Sequence, residues 1–236
     1  MPIRYVLFDL DGTLLPMDER FNDAYFGGLC KKLAPYGYAP KELIATIWTG
    51  VKEMVKNDGI RTNEDVFWDA FEKTIGRNAR ADEPIFESFY VEDFDSISAV
   101  CPCDARARRI LDMLHAKKIP AVLATNPIFP AIATRKRVAW AGLSLDDFIF
   151  HTTYENFGFC KPNLNYYRAI LEKIGAKPEE CLMVGNDVDE DMVAKQLGME
   201  VFLLTDCLLN RHATDIAQFP NGGFDELIAF LEEKLA

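Results

Sequence analysis

The hydrophobic pattern divides the chain into an opening strand, a long helical stretch, and an alternation of helices and strands. Residues 5–8 are four bulky residues in a row, which predicts a strand that is buried on both faces. From residue 17 to about residue 100, apolar residues recur at helical spacing in four separate stripes. We therefore predict four helices in this stretch, which would pack together as a small bundle.

After about residue 101, helical stripes alternate with short apolar runs. The predicted strands are residues 120–124, 148–151, 181–184 and 201–204. The predicted helices are residues 104–118, 128–141, 164–174 and 189–197, with a closing amphipathic helix around residues 224–231. Strands that alternate with helices form a parallel sheet with right-handed crossovers. We therefore predict an α/β fold with a Rossmann-like parallel sheet.

The first strand is predicted to join this sheet, although the whole helical stretch separates it from the second strand. The helical stretch is then an insertion into an α/β domain. We predict a core domain formed by residues 1–16 and 101–236, and an inserted helical domain formed by residues 17–100.

The composition is that of a soluble globular protein, with 49% apolar and 27% charged residues. The formal charge of −11, from 26 basic and 37 acidic side chains, argues against nucleic acid or an anionic membrane as a partner. No apolar run reaches the length of a membrane span, and no secretory signal pattern is present. The six cysteines are scattered without a pairing framework, so we expect reduced thiols and a cytoplasmic location.

Two carboxylates lie two residues apart at the end of the first strand, in the run Asp9-Leu10-Asp11-Gly12-Thr13. Ligands of an open parallel sheet bind at the carboxyl ends of its strands, and a glycine lets the chain leave the sheet sharply. Two like charges at the end of an apolar strand repel each other and lose hydration. We therefore expect a cation or a shared proton to compensate Asp9 and Asp11.

Polar residues also follow the next two predicted strands. Thr125 and Asn126 end the run that begins at Pro120, where a hydroxyl, an amide and backbone N–H groups can face an anion. Lys161 and Pro162 stand between the third strand and its following helix. A lysine at this place can neutralise a carboxylate and a bound phosphoryl group.

A fourth polar group follows the strand that begins near Cys181. Asn186, Asp187 and Asp191 offer oxygen atoms of the kind that bind hard cations. The two acidic residues at positions 189 and 190 also fit the start of a helix, where the helix dipole favours negative charge.

These four groups, in this order and each after a predicted strand, resemble the four motifs of the haloacid dehalogenase-like (HAD) hydrolases. The run from Asp9 to Thr13 resembles the first motif, Thr125 the second, and the Lys161-Pro162 pair the third. The helical insertion between the first two motifs resembles the C1-type cap of this family, which closes over small substrates. One departure is Asn186, which stands where the fourth motif usually has an aspartate.

The resemblance implies a Mg²⁺-dependent phosphatase that hydrolyses a phosphate monoester of a small metabolite. Asp9 would attack phosphorus to form an aspartyl-phosphate, and Asp11 would act first as an acid and then as a base. Thr125, Asn126 and Lys161 would stabilise the phosphoryl oxygens.

The resemblance also implies a metal site. The Asp9 carboxylate, the backbone carbonyl of Asp11 and the fourth-motif residues Asn186, Asp187 and Asp191 would hold Mg²⁺. Whether Asn186 or Asp187 contacts the ion stays open. From charge alone, we expect Asp187→Ala to weaken Mg²⁺ binding and activity more than Asn186→Ala does.

Other functions within and beyond the family remain open. Asp11 argues against a dehalogenase, which attacks carbon and needs no second acid. A sugar-phosphate mutase shares all four motifs, and Asn186 leaves room for a low-turnover, phosphate-responsive binding or regulatory protein. The sequence identifies neither the substrate nor the oligomeric state, although the inserted helices carry aromatic residues that could set specificity, namely Tyr25, Trp48, Phe67 and Trp68.

Overall fold

The computed structural model describes residues 2–235, and its core is a six-stranded parallel sheet. The strands are β1 (Tyr5–Phe8), β2 (Ala121–Leu123), β3 (Phe150–His151), β4 (Cys181–Gly185), β5 (Glu200–Leu204) and β6 (Asn221–Gly222). Their order in the sheet is β3-β2-β1-β4-β5-β6, so β1 lies between β2 and β4. The predicted α/β fold with a Rossmann-like parallel sheet is confirmed.

The stretch between β1 and β2 is helical, as its four apolar stripes predict. Its helices are α1 (Arg20–Leu33), α2 (Pro40–Val55), α3 (Asn63–Ile75) and α4 (Glu83–Glu92), followed by a 3₁₀ helix at Phe94–Val100. Thr62 caps α3, because its hydroxyl accepts the N–H of Asp65 at 3.2 Å. The division into a core of residues 1–16 and 101–236 and an inserted domain of residues 17–100 stays a prediction.

Four further helices flank the sheet. They are α5 (Ala105–Ala116), α6 (Ala131–Trp140), α7 (Leu164–Ile174) and α8 (Phe224–Lys234). Side chains of β1 alternate between the two sides of the sheet. Val6 and Phe8 belong to an apolar cluster that continues into the inserted helices, whereas Leu7 packs in a second cluster with Tyr166 and Tyr167 of α7. Within residues 2–235, no helix has the length and apolar character needed to cross a bilayer.

The inserted helices contact the core at the start of α3 as well as at their two chain connections. Asn63 is fully buried, and its Nδ2 donates to the carbonyl of Pro127 at 3.1 Å. Its backbone N–H donates to the carbonyl of Phe157 at 2.8 Å, and its Oδ1 accepts from Asn57 at 2.9 Å. Since these bonds lie away from water, they hold the beginning of α3 against two loops of the core.

Several elements differ from the pattern-based prediction, and the strand predicted over residues 148–151 is limited to Phe150–His151. The helix predicted from residue 128 begins at Ala131, because Pro130 has an extended backbone and takes the N-cap position. The stretch predicted as a helix over residues 189–197 is a turn followed by a 3₁₀ helix at Met192–Leu197. The strand β6 consists of two residues, Asn221 and Gly222, and neither has a large apolar side chain. No hydrophobic periodicity therefore predicts this strand.

Candidate active site

The register of the central strands brings three of the predicted site groups to one edge of the sheet. The last residue of β1 pairs with the last residue of β2 and with the penultimate residue of β4. The backbone N–H of Asp9 continues the ladder, donating to the carbonyl of Val184 at 2.9 Å. Asp9, Thr125 and Asn186 therefore follow neighbouring strand ends, at the edge where parallel sheets bind ligands.

A buried lysine links two of the predicted acids. Lys161 Nζ donates to Asp9 Oδ1 at 2.8 Å and to Asp191 Oδ1 at 2.6 Å. The side chains of Lys161 and Asp191 are each 1% exposed, so these charges meet away from bulk water. Burial acts to lower the pKa of Lys161, but Asp191 and Asp9 hold that pKa well above its ordinary value. Burial raises the pKa of Asp191 to about 7, and Lys161 opposes this rise. Lys161 is thus a cation that compensates Asp9.

The Thr13 hydroxyl connects the first and fourth motifs. It donates to Asn186 Oδ1 at 2.9 Å and lies 3.4 Å from Asp9 Oδ2. Asn186 Nδ2 donates to the carbonyl of Cys207 at 2.8 Å, which orients the amide oxygen toward Thr13. Gly12 has a φ of +82°, and a Cβ at this position would clash with the Asn186 amide. The amide oxygen of Asn186 and the carboxylate of Asp9 therefore lie on the same Thr13 hydroxyl.

The carboxylate of Asp187, in contrast, forms hydrogen bonds with the following turn and with Arg211. Its Oδ1 accepts the backbone N–H groups of Asp189 and Glu190 at 2.9 and 3.1 Å. Its Oδ2 accepts from Arg211 Nη1 at 2.6 Å, and its backbone N–H donates to Asp191 Oδ2 at 3.0 Å. The Asp187 carboxylate thus organises the turn after β4 and a distant loop.

Asp11 is paired with an arginine. Arg137, in α6, is fully buried and donates through Nη1 to Asp11 Oδ2, and its guanidinium lies 4.3 Å from the centroid of the Phe129 ring. The other oxygen of this carboxyl group, Asp11 Oδ1, is buried without a hydrogen-bond partner among the described residues. Burial raises the pKa of Asp11, while Arg137 opposes the rise and Asp9 adds to it. A raised pKa suits a carboxyl group that must hold a proton before donating it.

Thr125 and Asn126 are fixed by contacts with the third and fourth motifs. The carbonyl of Thr125 accepts from the Tyr166 hydroxyl at 2.9 Å, and Thr125 itself is buried. Asn126 accepts the backbone N–H of Lys161 through Oδ1 at 3.2 Å and donates through Nδ2 to Glu190 Oε2 at 3.0 Å. The oxygen and the nitrogen of the Asn126 amide are thus both hydrogen-bonded within the protein. Contact of Thr125 or Asn126 with a phosphoryl group stays a prediction.

A cavity of about 850 Å³ lies beside Asp11, which forms part of its wall. Its other walls come mostly from the inserted helices, and also from residues 128–132, Tyr154 and Glu155 of the core. The four aromatic residues proposed from the sequence as specificity residues all line it, namely Tyr25, Trp48, Phe67 and Trp68. A cavity of this size suits a small organic ligand.

Sequence patterns miss two side chains that shape this site. Thr13 is part of the first motif, but its bond to Asn186 joins residues 173 positions apart. Arg137 lies among three consecutive basic residues of α6, and only its helical spacing from the buried residues Ala133 and Thr134 hints that it turns inward.

A model of the haloacid dehalogenase-like hydrolase family matches residues 3–198, a span that contains all four motifs. This chain belongs to the haloacid dehalogenase-like hydrolases. The resemblance inferred from the motifs is confirmed, and with it the expectation of a hydrolase of this family.

Known proteins resemble this chain either over part of its sequence or in the fold of the whole chain. A glyceraldehyde 3-phosphate phosphatase from Methanothermobacter thermautotrophicus is 40% identical over 53 residues, which are 22% of this chain and only 24% of that enzyme. A 2-haloacid dehalogenase from Pseudomonas syringae pv. tomato DC3000 has a TM-score of 0.64 at 21% identity, over 98% of this chain and 99% of that chain. A HAD hydrolase from Bacillus subtilis, described as bound to magnesium, has a TM-score of 0.60 at 17% identity, over 98% and 100% of the two chains. At these identities the two structures support the fold.

Proposed function

We propose that this hydrolase is a Mg²⁺-dependent phosphatase that hydrolyses the phosphate monoester of a small metabolite through an aspartyl-phosphate on Asp9. The observation that carries the proposal is the placement of two carboxyl groups. Asp9 lies between Lys161 and the Thr13 hydroxyl, and Asp11 stands beside it with a raised pKa. Transfer to a carboxylate in two steps needs a nucleophile and a separate acid of this kind. The phosphatase name of the partial relative agrees with this interpretation.

In the proposed reaction, two displacements at phosphorus follow each other, and each residue has a role in one or both. In the first, the Asp9 carboxylate attacks phosphorus, the bond to the leaving oxygen breaks, and Asp11 gives that oxygen its proton. In the second, Asp11 takes a proton from water as the water attacks the aspartyl-phosphate. Arg137 favours the ionised form of Asp11 that this second step requires. Lys161 and the Thr125 hydroxyl would stabilise the charge of the transferred group.

The oxygen donors at this edge fit Mg²⁺, which accepts one or two carboxylates and keeps several waters. Asp9 and Asn186 present a carboxylate and an amide oxygen to the same Thr13 hydroxyl, and the Asp11 backbone carbonyl would be a third donor. Within residues 2–235, no group of three or more His, Cys, Asp or Glu side chains is arranged to hold a metal ion. The proposed site therefore also uses amide and backbone oxygen atoms. When bound, the ion supplies charge neutralisation for the phosphoryl oxygens.

Turnover of p-nitrophenyl phosphate with Mg²⁺ tests the proposal directly. We expect release of inorganic phosphate that stops on chelation and returns when Mg²⁺ is added. If a screen of phosphorylated sugars gives an isomer and no phosphate, the chain is a mutase. Phosphate binding without turnover would favour the regulatory alternative.

Alanine substitutions in the fourth motif test which residue serves the metal. The contacts favour the order opposite to that expected from charge, so we expect Asn186→Ala to raise the Mg²⁺ concentration needed for half-maximal activity by about 10-fold or more. Asp187→Ala should instead lower the free energy of unfolding by about 1–2 kcal/mol, because it removes a cap and an ion pair.

The measurements are a Mg²⁺ titration of activity after chelation and a denaturant titration of each variant. Asp189→Ala is the matched control, since its side chain lies 4.0 Å from Arg211 and away from Asp9. A Mg²⁺ requirement that changes with Asp187→Ala and not with Asn186→Ala would show that the order expected from charge is right.

Asp11→Asn tests the acid role through the leaving group. We expect activity on alkyl phosphates to fall about 10²-fold or more, whereas aryl phosphates, whose leaving groups need little protonation, should lose much less. The variant also leaves Arg137 buried without its carboxylate, so part of the protein could unfold. The ratio of aryl to alkyl turnover cancels any loss of folded protein, and an unchanged ratio would contradict the acid role.

A further inference from the structure

The cavity beside Asp11 carries an excess of acidic side chains. Five acidic residues line it, namely Asp11, Glu64, Glu83, Glu87 and Glu155. Among the described lining residues, Arg80 is the one with a basic side chain. Its shortest ion pair, at 3.1 Å, is with Asp65, which lies outside the lining, while Glu64 and Glu83 are 3.7 and 3.6 Å away. Arg80 and, at Asp11, the buried Arg137 compensate part of this charge, whereas Glu87 and Glu155 form no ion pair with the described residues.

Two of these glutamates act on a third, Glu64. Burial raises the pKa of Glu64, Glu83 and Glu155 add to the rise, and Arg80 opposes it. Like charges that are close enough to interact in a partly buried wall favour a cation among them.

One polar atom in the same wall lacks a protein partner among the described residues. Glu155 Oε1 accepts the N–H of Ala131 at 2.7 Å, but its buried Oε2 has no donor within residues 2–235. Buried polar atoms are almost always paired, so an unpartnered carboxylate oxygen in the wall of a cavity indicates a ligand that donates to it.

The remaining wall is mostly apolar and contains many aromatic side chains. Tyr25, Trp48 and Phe67 are among the aromatic residues that line the cavity. Aromatic faces pack against flat apolar groups and attract cations, particularly where water is excluded. The same wall therefore suits an apolar body and a positive charge together.

We propose that this cavity binds the leaving group of the substrate, and that the leaving group is an apolar alcohol carrying an ammonium group. This inference rests on the proposed phosphatase function, because it places the phosphoryl group at Asp9. The ammonium lies among Glu64, Glu83 and Glu155 and donates to Glu155 Oε2. The apolar body packs against the aromatic residues, and a carboxylate or second phosphate in its place is repelled.

Three aryl phosphates of similar size test the charge preference. They carry a para substituent that is 2-aminoethyl, propyl or carboxymethyl. We expect kcat/KM to favour the ammonium compound over the propyl compound by about 10-fold, and over the carboxylate compound by about 100-fold. The double variant Glu64→Gln/Glu83→Gln should reduce both ratios toward 1, whereas Glu42→Gln, on the exposed side of α2, should leave them unchanged. Equal kcat/KM values for the three compounds, or a preference for the carboxylate, would overturn the inference while leaving the phosphatase function intact.

Binding of the product alcohols gives a readout that does not need turnover. Calorimetry with the Asp9→Asn protein should show 4-(2-aminoethyl)phenol binding about 10-fold more tightly than 4-propylphenol. If no phosphate ester is hydrolysed but this difference is found, the proposed function fails and the assignment of the cavity stands. If the two phenols bind equally, or neither binds, the assignment fails whatever the catalytic result and whatever the folding of the double variant.

Discussion

Replacement of Asp9 by asparagine is expected to reduce phosphate release by about 10³-fold or more. The amide has nearly the shape of the carboxylate but cannot attack phosphorus, so the first covalent step is lost. The measurement is inorganic phosphate released from p-nitrophenyl phosphate by the purified variant at saturating Mg²⁺. Asp23→Asn, an exposed substitution of the same chemistry in α1, is the matched control and should retain normal activity.

The same substitution should not destabilise the fold. Asp9 and Asp191 share one buried cation, Lys161, so asparagine at position 9 leaves Lys161 and Asp191 as a balanced pair. We expect a thermal unfolding midpoint equal to or above that of the unmodified protein. Acid quenching during turnover should trap a phosphoprotein with the unmodified chain and none with Asp9→Asn. Phosphate release within threefold of the unmodified rate would refute Asp9 as the nucleophile.

The parts of the site that the sequence predicts are those that depend on local order along the chain. The unbroken apolar run of β1 requires burial on both faces, which puts this strand in the middle of a parallel sheet. Once the strands are parallel, the residues that follow their carboxyl ends all lie at the same edge of the sheet. Asp9, Thr125 and Asn186 meet there for this reason, and the expected compensation of Asp9 by a cation is found in Lys161.

The parts that the sequence does not predict depend on contacts between distant segments. Arg137 and Asp11 are 126 residues apart, and nothing in the basic run of α6 distinguishes the arginine that is buried from its neighbours that are not. The bond from Asn63 to the Pro127 carbonyl joins α3 to a core loop in the same way. Such pairs depend on how the inserted helices are oriented on the sheet, which periodicity does not specify.

In the fourth motif, residue type and hydrogen-bond contacts favour different metal ligands. Asp187 carries the charge that a divalent ion attracts, and this is the basis for ranking it first. Its oxygens are occupied by two N–H groups of the following turn and by Arg211, 24 residues further on. The neutral Asn186 has the less favourable chemistry, but its amide oxygen and Asp9 Oδ2 lie on the same Thr13 hydroxyl, so the contacts favour Asn186 as the proposed ligand.

Replacement of Lys161 by methionine is expected to abolish activity and to destabilise the protein strongly. Methionine keeps much of the length of the side chain but leaves Asp9 and Asp191 buried without a cation. Removal of one partner from a buried ion pair costs about 3–5 kcal/mol. The measurement is a denaturant titration in the presence of a chelator, so that no metal replaces the missing charge. Lys136→Met is the matched control, since Lys136 pairs with the largely exposed Asp95 and its loss should leave the unfolding midpoint nearly unchanged.

The pH dependence of the Lys161→Met protein distinguishes lost charge compensation from poor packing. Burial raises the pKa of Asp191 to about 7 even while Lys161 opposes the rise, so without Lys161 the pKa should rise further. A carboxyl group whose pKa is higher in the folded state binds more protons there, so its contribution to stability is present in acid and is lost as the pH rises through that pKa. We therefore expect the variant to lie close to the unmodified protein near pH 5 and to fall furthest below it above pH 7. A stability difference that stays constant from pH 5 to pH 8 would mean that Lys161 acts by packing, and the proposed compensation of Asp9 and Asp191 would be wrong.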